Sequence, residues 1–406
     1  MNANRLNANP SGIARYALMA RVVMLIATSF TVILTTRTLG ASGQGDWALL
    51  QFGLLLVTGL AGFVAGGAVV YVRKFFSARQ MLPLALAGIA TAMVVGAWLG
   101  SFTGWVPPHW QHDAMWLGGL QAAVIFMSQL HLAAGNVRYY HLTQVVQVVA
   151  LAAAWGVMVG AGHGDMEHLV SALRGSLAMT LGLLIFQTHN VWTPMASGGQ
   201  SVHRLMLTKG AEGQTGSLLQ LLTNRLNLSQ LERFVSLDAS GLYSLGYYAM
   251  EAVWTAGRAW APAVHAEAAR TDDPAHRRAH TMWHVWRVLG LSSFGALMGI
   301  VLPDSLWEAI FQVSGLRSVL VALAPAMVAG GVASILSHHL SGVGLHRWNA
   351  ITSGAGLATL WGCSAWWIPG SAMLEGAVMA GWAMSCAAVV QCTGLAWAFH
   401  RATRAA

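Results

Sequence analysis

Apolar stretches of about twenty residues, separated by short segments of Gly, Arg, His and Pro, recur from one end of this chain to the other. A bilayer core takes roughly 20 apolar residues per helix, and that spacing predicts twelve spans. They fall near 14–36, 45–71, 81–103, 114–134, 140–161, 168–187, 211–235, 242–266, 282–303, 316–337, 347–368 and 373–398. The seventh is the least apolar. No connection is long enough for a separate domain. The N-terminus has signal-like features, Arg5 and Arg15 followed by apolar sequence from Tyr16 to Leu34. Arg21 interrupts that run and no small-x-small cleavage site follows, so the stretch is expected to stay as the first helix.

Charge orients the spans. With the N-terminus inside, the cytoplasmic segments hold fifteen Lys and Arg residues, among them Arg73, Lys74, Arg79, Arg138, Lys209, Arg270, Arg277, Arg278 and Arg347. The opposite side holds Arg37, Arg233 and Arg317. This bias obeys the positive-inside rule and places both termini in the cytoplasm. Composition adds exclusions. The chain has 406 residues, 56% hydrophobic and 9% charged, against about 25% charged for soluble domains. Three cysteines exclude a disulfide scaffold. The net charge of +8 is scattered between apolar runs, not gathered into a patch, so no nucleic-acid partner is expected.

An internal repeat is legible. Arg37-Thr-Leu-Gly-Ala-Ser-Gly-Gln-Gly45-Asp-Trp47 aligns without gaps on Arg233-Phe-Val-Ser-Leu-Asp-Ala-Ser-Gly241-Leu-Tyr243. It matches at Arg, an aliphatic residue, Gly and an aromatic. Gly135-Asn-Val-Arg138-Tyr139 after span four likewise matches Gly344-Leu-His-Arg347-Trp348 after span ten. The predicted fold is therefore an all-α polytopic membrane protein of two pseudo-symmetric six-helix lobes, residues 1–187 and 211–406, joined by a cytoplasmic linker at 188–210. Parallel repeats of this kind indicate a transporter.

Charges inside spans cost about 2.5–3.5 kcal/mol on insertion scales and normally face a cavity or a partner. Arg21 and Arg258 both sit about 10 Å from the cytoplasmic end of their spans, at 1.5 Å per residue. Two guanidiniums at one depth suit a phosphate or pyrophosphate; snorkelling to headgroups is the plainer account. Arg174, near the outer end, needs only snorkelling. On span eight, Tyr243, Tyr247, Glu251, Trp254 and Arg258 share one helical face, which fits a wet groove able to stack on sugars. An apolar core face is the competing account. Glu251 lies two turns from Arg258, about 10.5 Å along the axis. The two are not expected to pair, which leaves Glu251 as a proton or cation site or as half of a cross-helix ion pair. Span seven adds Ser217, Gln220, Asn224 and Asn227 beside Arg225, either cavity lining or interhelical glue. His276, His280 and His284 repeat at i, i+4 and i+8 but read as a solvated basic face, and no metal site is expected. Gly62-x-x-x-Gly66 reads as a packing motif. No phosphate-binding loop or nucleophile elbow occurs, so no enzyme activity is expected.

These residues carry a family resemblance. Arg37-x-Leu39-Gly40…Gly45-x-Trp47 resembles the polysaccharide-biosynthesis flippases of the multidrug/oligosaccharidyl-lipid/polysaccharide (MOP) exporter superfamily. So do Gly241-x-Tyr243 with Pro262 and a basic loop after it, and the two Gly-x-x-Arg-aromatic loops. The resemblance covers essentially the whole chain on short motifs. It implies two lobes around a cavity lined by helices one, two, seven and eight. Transport would be alternating access, flipping undecaprenyl-pyrophosphate-linked oligosaccharide to the periplasmic leaflet, coupled to H+ or Na+ without a bound cofactor. By position, Arg21 and Arg258 would engage the pyrophosphate, with Arg225, Tyr247, Trp254, Gln220 and Asn224 around the substrate. Membrane lipids and other polysaccharide-assembly proteins are the implied partners. The chain departs from the superfamily's drug exporters in lacking an acid in helix one. Multidrug efflux is the first alternative, and a membrane-embedded polymerase the second.

Overall fold

The computed structural model describes residues 10–187 and 201–404, and within them it is helical throughout. The helices are α1 (Pro10–Ala65), α2 (Ala68–Val72), α3 (Ala78–Thr103), α4 (Gln111–Ala133), α5 (Val137–Gly160), α6 (Met166–Phe186), α7 (Val202–Phe234) and α8 (Leu237–Arg270). Then follow α9 (Pro274–Val301), α10 (Asp304–Phe311), α11 (Leu316–Gly342), α12 (His346–Trp367) and α13 (Met373–Arg404). Each of the twelve expected spans falls on helix. Seven helices among the described residues, α1, α3, α5, α6, α9, α11 and α13, are long and apolar enough to cross a membrane by length and composition. Large apolar side chains such as Trp98, Trp116, Phe186 and Trp366 stand exposed, as they do on lipid-facing helices.

The boundaries differ from expectation in three places. The loop expected between the first two spans shrinks to a kink at Gly40, where φ is 72° and ψ is −172°. That combination is essentially open only to glycine, so the chain turns there without leaving the helix for long. The short helix α10 occupies what was expected to be plain outer loop. Of the expected linker, residues 188–200 lie outside the described residues, as does Arg5, and from Val202 the chain is already α7.

Local chemistry accounts for the helix ends. The Asp165 carboxylate accepts from the His168 amide at 3.0 Å to start α6, and the Ser236 hydroxyl accepts from Ala239 at 3.2 Å to start α8. Asp273 accepts from Ala275 at 2.9 Å with Pro274 as the first residue of α9. The matched Gly135 and Gly344 end α4 and α11 in the same way, with φ of 81° and 80°. Their hydrogen bonds also correspond: Asn136 N to His131 O at 2.9 Å and Leu345 N to Leu340 O at 2.8 Å. This is the glycine-terminated closure of a helix, written twice.

By contacts the described residues fall into two units. The first takes those within Met1–Leu34, Val57–Trp98 and His112–Gln214. In it small residues let helices approach closely: Gly96 and Gly118 both pack on Val57. Gly62 seats the side chain of Gln214, whose amide donates to the Gly59 carbonyl at 3.0 Å. Arg174 is not merely snorkelling, because its Nη2 lies 3.0 Å from Asp113 Oδ1.

The second unit takes Thr35–Leu56, Leu99–Gln111 and Thr215–Ala406. Its centre is α11, packed on α8, α9 and α13, with Val264, Val288, Ile335, Leu336 and Leu395 buried between them. Pro325 lies inside α11. Beside it the Ser385 hydroxyl of α13 donates to the Ala322 carbonyl at 2.6 Å and accepts from the Ala326 amide at 3.2 Å. A side chain thus satisfies backbone groups at the proline, which a lipid-embedded helix requires. The repeat's glycines meet in this unit. A Cβ on Gly45 would strike the Leu237 carbonyl, and one on Gly241 would strike the Ala41 carbonyl. Gly45 and Gly241 are aligned partners, as are Ala41 and Leu237, so the crossing is reciprocal.

Candidate functional site

The span-eight face converges on Glu251. From α7, the Arg225 guanidinium places Nη2 3.2 Å from Glu251 Oε2 and lies 4.3 Å over the Tyr247 ring and 5.6 Å over Tyr248. The Tyr247 hydroxyl donates to Glu251 Oε1 at 3.2 Å. Arg258 Nη2 comes within 3.6 Å of the same oxygen, and its guanidinium is 5.7 Å from the Trp254 ring. The expectation that Glu251 and Arg258 stand too far apart to pair is corrected here. Axial rise separates their Cα atoms, but the two long side chains lean toward each other along one face.

The two arginines are not equivalent. The Arg225 side chain is 8% exposed and that of Arg258 43%. Arg225 Nη1 is buried with no hydrogen-bond partner; one carboxylate, the Tyr248 hydroxyl and the tyrosine ring faces answer the charge of the guanidinium. Two guanidiniums against one carboxylate leave the cluster formally positive by one, and the accessible part of that charge is Arg258.

Other candidates are placed as follows. Trp254 is buried, and its Nε1 donates to the Ala326 and Met327 carbonyls, each at 3.1 Å. Tyr247 is equally buried. Both rings therefore pack inside the second unit and do not stand as open faces. Gln220 donates to Asn224 Oδ1 at 3.0 Å and accepts from Gln391 of α13 and from Ser353 of α12. Asn227 donates to the Tyr243 hydroxyl at 3.3 Å and to the Ala380 carbonyl at 2.8 Å, and accepts from Ser364 at 2.6 Å. Most of the polar face of α7 thus joins helices. Ser353, Ser364 and Gln391 carried no signal in the sequence, since their partners on α7 lie more than a hundred residues away. Arg21 belongs to the first unit, half-buried on α1 in the electrostatic neighbourhood of His141 on α5.

At the C-terminal end of α8, Glu267 accepts from Arg270 at 2.7 Å and from Thr271 at 2.8 Å, with His276 at 3.2 Å. These partners, Arg270 first, hold its carboxyl at about 2, below the ordinary 4.5. A depressed carboxyl stabilises the turn fully above about 4.5 and loses that contribution as the pH falls toward 2. The protection of the Thr271 amide, bonded to the Glu267 carbonyl at 3.1 Å, measured as exchange relative to the intrinsic rate at each pH, should accordingly fall across that window and stay flat above it. The same contact ties up His276, the first residue of the expected histidine row.

No family model matches the sequence, and no curated protein does. Solved structures match over nearly the whole chain. An inward-facing multidrug resistance MATE family transporter of the MOP superfamily superposes with a TM-score of 0.68 at 12% identity, covering 97% of this chain and 98% of that one. The Vibrio cholerae MATE transporter VcmN in its bent form gives 0.62 at 17%, covering 97% and 98%. The lipid II flippase MurJ in an inward closed conformation gives 0.62 at 11%, covering 95% and 87%. These neighbours are transporters, and the chain shares their fold: its described residues are helical, with seven helices long and apolar enough to cross a membrane.

Proposed function

We propose that the protein flips a polyprenyl-pyrophosphate-linked oligosaccharide from the cytoplasmic to the outer leaflet of a bacterial inner membrane, for assembly of a surface polysaccharide. It would do so by alternating access with twelve spans and both termini in the cytoplasm. The observation that carries this reading is the sign of the α7–α8 cluster. A site for cationic drugs needs an available carboxylate, whereas Glu251 is met by two guanidiniums and a phenol and the accessible group is a cation. Arg258 presents a planar donor fork, which matches phosphate oxygens two at a time. Arg225 acts from within, holding Glu251 and Tyr247 in register. Arg21 on α1 is proposed as a second phosphate ligand by its depth in the membrane. Gln220, Asn224, Tyr247 and Trp254 support the wall behind the cluster. Glu251, held by three donors, serves the arginines in this scheme and is not the H+ or Na+ coupling site.

The test is the sidedness of lipid-linked oligosaccharide after depletion of this protein in its native cells. Intact repeat units should accumulate on the cytoplasmic leaflet. Unchanged sidedness together with new sensitivity to cationic drugs would replace this reading with multidrug efflux.

A further inference from the structure

We propose that Glu251 is a built-in competitor for the substrate's anionic group, a tethered carboxylate that an incoming phosphate must displace from Arg258. The inference rests on the reading of Arg258 as the anion ligand and concerns how selective that ligand is.

The three donors around Glu251 hold it unequally. Oε2 is committed to the buried Arg225 at 3.2 Å, and Oε1 takes the Tyr247 hydroxyl at 3.2 Å. Arg258 comes only within 3.6 Å of Oε1, beyond a good hydrogen bond. It is the most exposed of the three, steadied from below by the Trp254 ring 5.7 Å away on its own helix. Losing Arg258 therefore costs Glu251 little, because its other two partners stay. Such a displacement leaves no buried charge orphaned, which is what makes most exchanges of buried ion pairs costly.

Displacement is selective by charge and shape. A phosphate brings two or more oxygens and more charge than one shared carboxylate oxygen, so it gains a bidentate contact where Glu251 has a single loose one. A neutral or zwitterionic headgroup, such as those of the surrounding bilayer, gains less from Arg258 than it must take from Glu251. The carboxylate thus lowers affinity for every ligand by the same factor, which leaves a strong bidentate anion bound and takes weakly held headgroups below occupancy.

The experiment is calorimetric titration of the purified full-length protein with inorganic pyrophosphate, on wild type, Glu251→Gln, Arg258→Ala and the double variant Arg225→Met/Glu251→Gln. The double variant keeps the test decisive where Glu251→Gln alone leaves Arg225 uncompensated and cannot be purified. Removing the competitor is expected to tighten binding about two- to fivefold, the worth of a partly exposed ion pair, in either background, while Arg258→Ala loses it. A merely structural Glu251 would give the opposite sign. Affinity that is unchanged or weaker without the Glu251 charge, with Arg258→Ala still losing binding, overturns the competitor and leaves Arg258 as the ligand. Binding that survives Arg258→Ala, or no binding by any of the four, overturns the reading beneath it.

Discussion

Arg258→Ala should lose most translocation while the protein still folds and inserts. The side chain is 43% exposed and makes one loose ion pair, so its removal leaves Glu251 held by Arg225 and Tyr247. A charge-assisted hydrogen bond is worth about 1.5–3 kcal/mol, which places the expected loss at roughly ten- to a hundredfold. Arg258→Lys should recover part of it, since charge is restored without the planar fork. The checks are leaflet sidedness of the lipid-linked oligosaccharide in complemented cells and a monodisperse elution profile. Full complementation by Arg258→Ala, with the variant at wild-type level, would remove Arg258 from the mechanism.

Gly241→Val is the second large effect, and it acts on stability. The added Cβ would collide with the Ala41 carbonyl and come within 3.0 Å of the Gly45 amide nitrogen. Neither obstacle is a flexible side-chain end, so relief requires the helices to part. Overpacking a tight site costs about 1–3 kcal/mol and occasionally more, and two backbone obstacles place this variant at the upper end. Thermal unfolding in detergent should show a depressed midpoint, with reduced yield from the membrane fraction. Gly175→Val on α6, where an added Cβ meets nothing within 4 Å, is the control and should stay near wild type. A Gly241→Val midpoint equal to that control would show that the crossing is not close in the working protein.

The spans were legible because lipid imposes one length and one polarity on them, and those survive any arrangement of neighbours. The repeat was legible because its glycines answer backbone demands: Gly135 and Gly344 the same left-handed turn, Gly45 and Gly241 the same close crossing. What the sequence could not supply was which polar face meets which. Periodicity put Gln220, Asn224 and Asn227 on one side of α7, and a cavity or a partner helix would look alike from there. Only α12 and α13, brought against that side, decide for the partner. The Glu251–Arg258 pair was missed for a smaller reason. Axial rise measures backbone separation, and two long side chains on one face shorten it.

The hydrogen bonds of Asn227 have a consequence for handling the protein. One amide ties α7 to α8, α12 and α13, and all three bonds are buried. In lipid there is little to gain from hiding one apolar helix surface against another, so bonds of this kind locate the bundle. Their strength belongs as much to the solvent as to the protein. A short-chain detergent that admits water to the helix seams offers each of these groups a substitute partner. The second unit would then lose its register from the inside, before any helix unwinds.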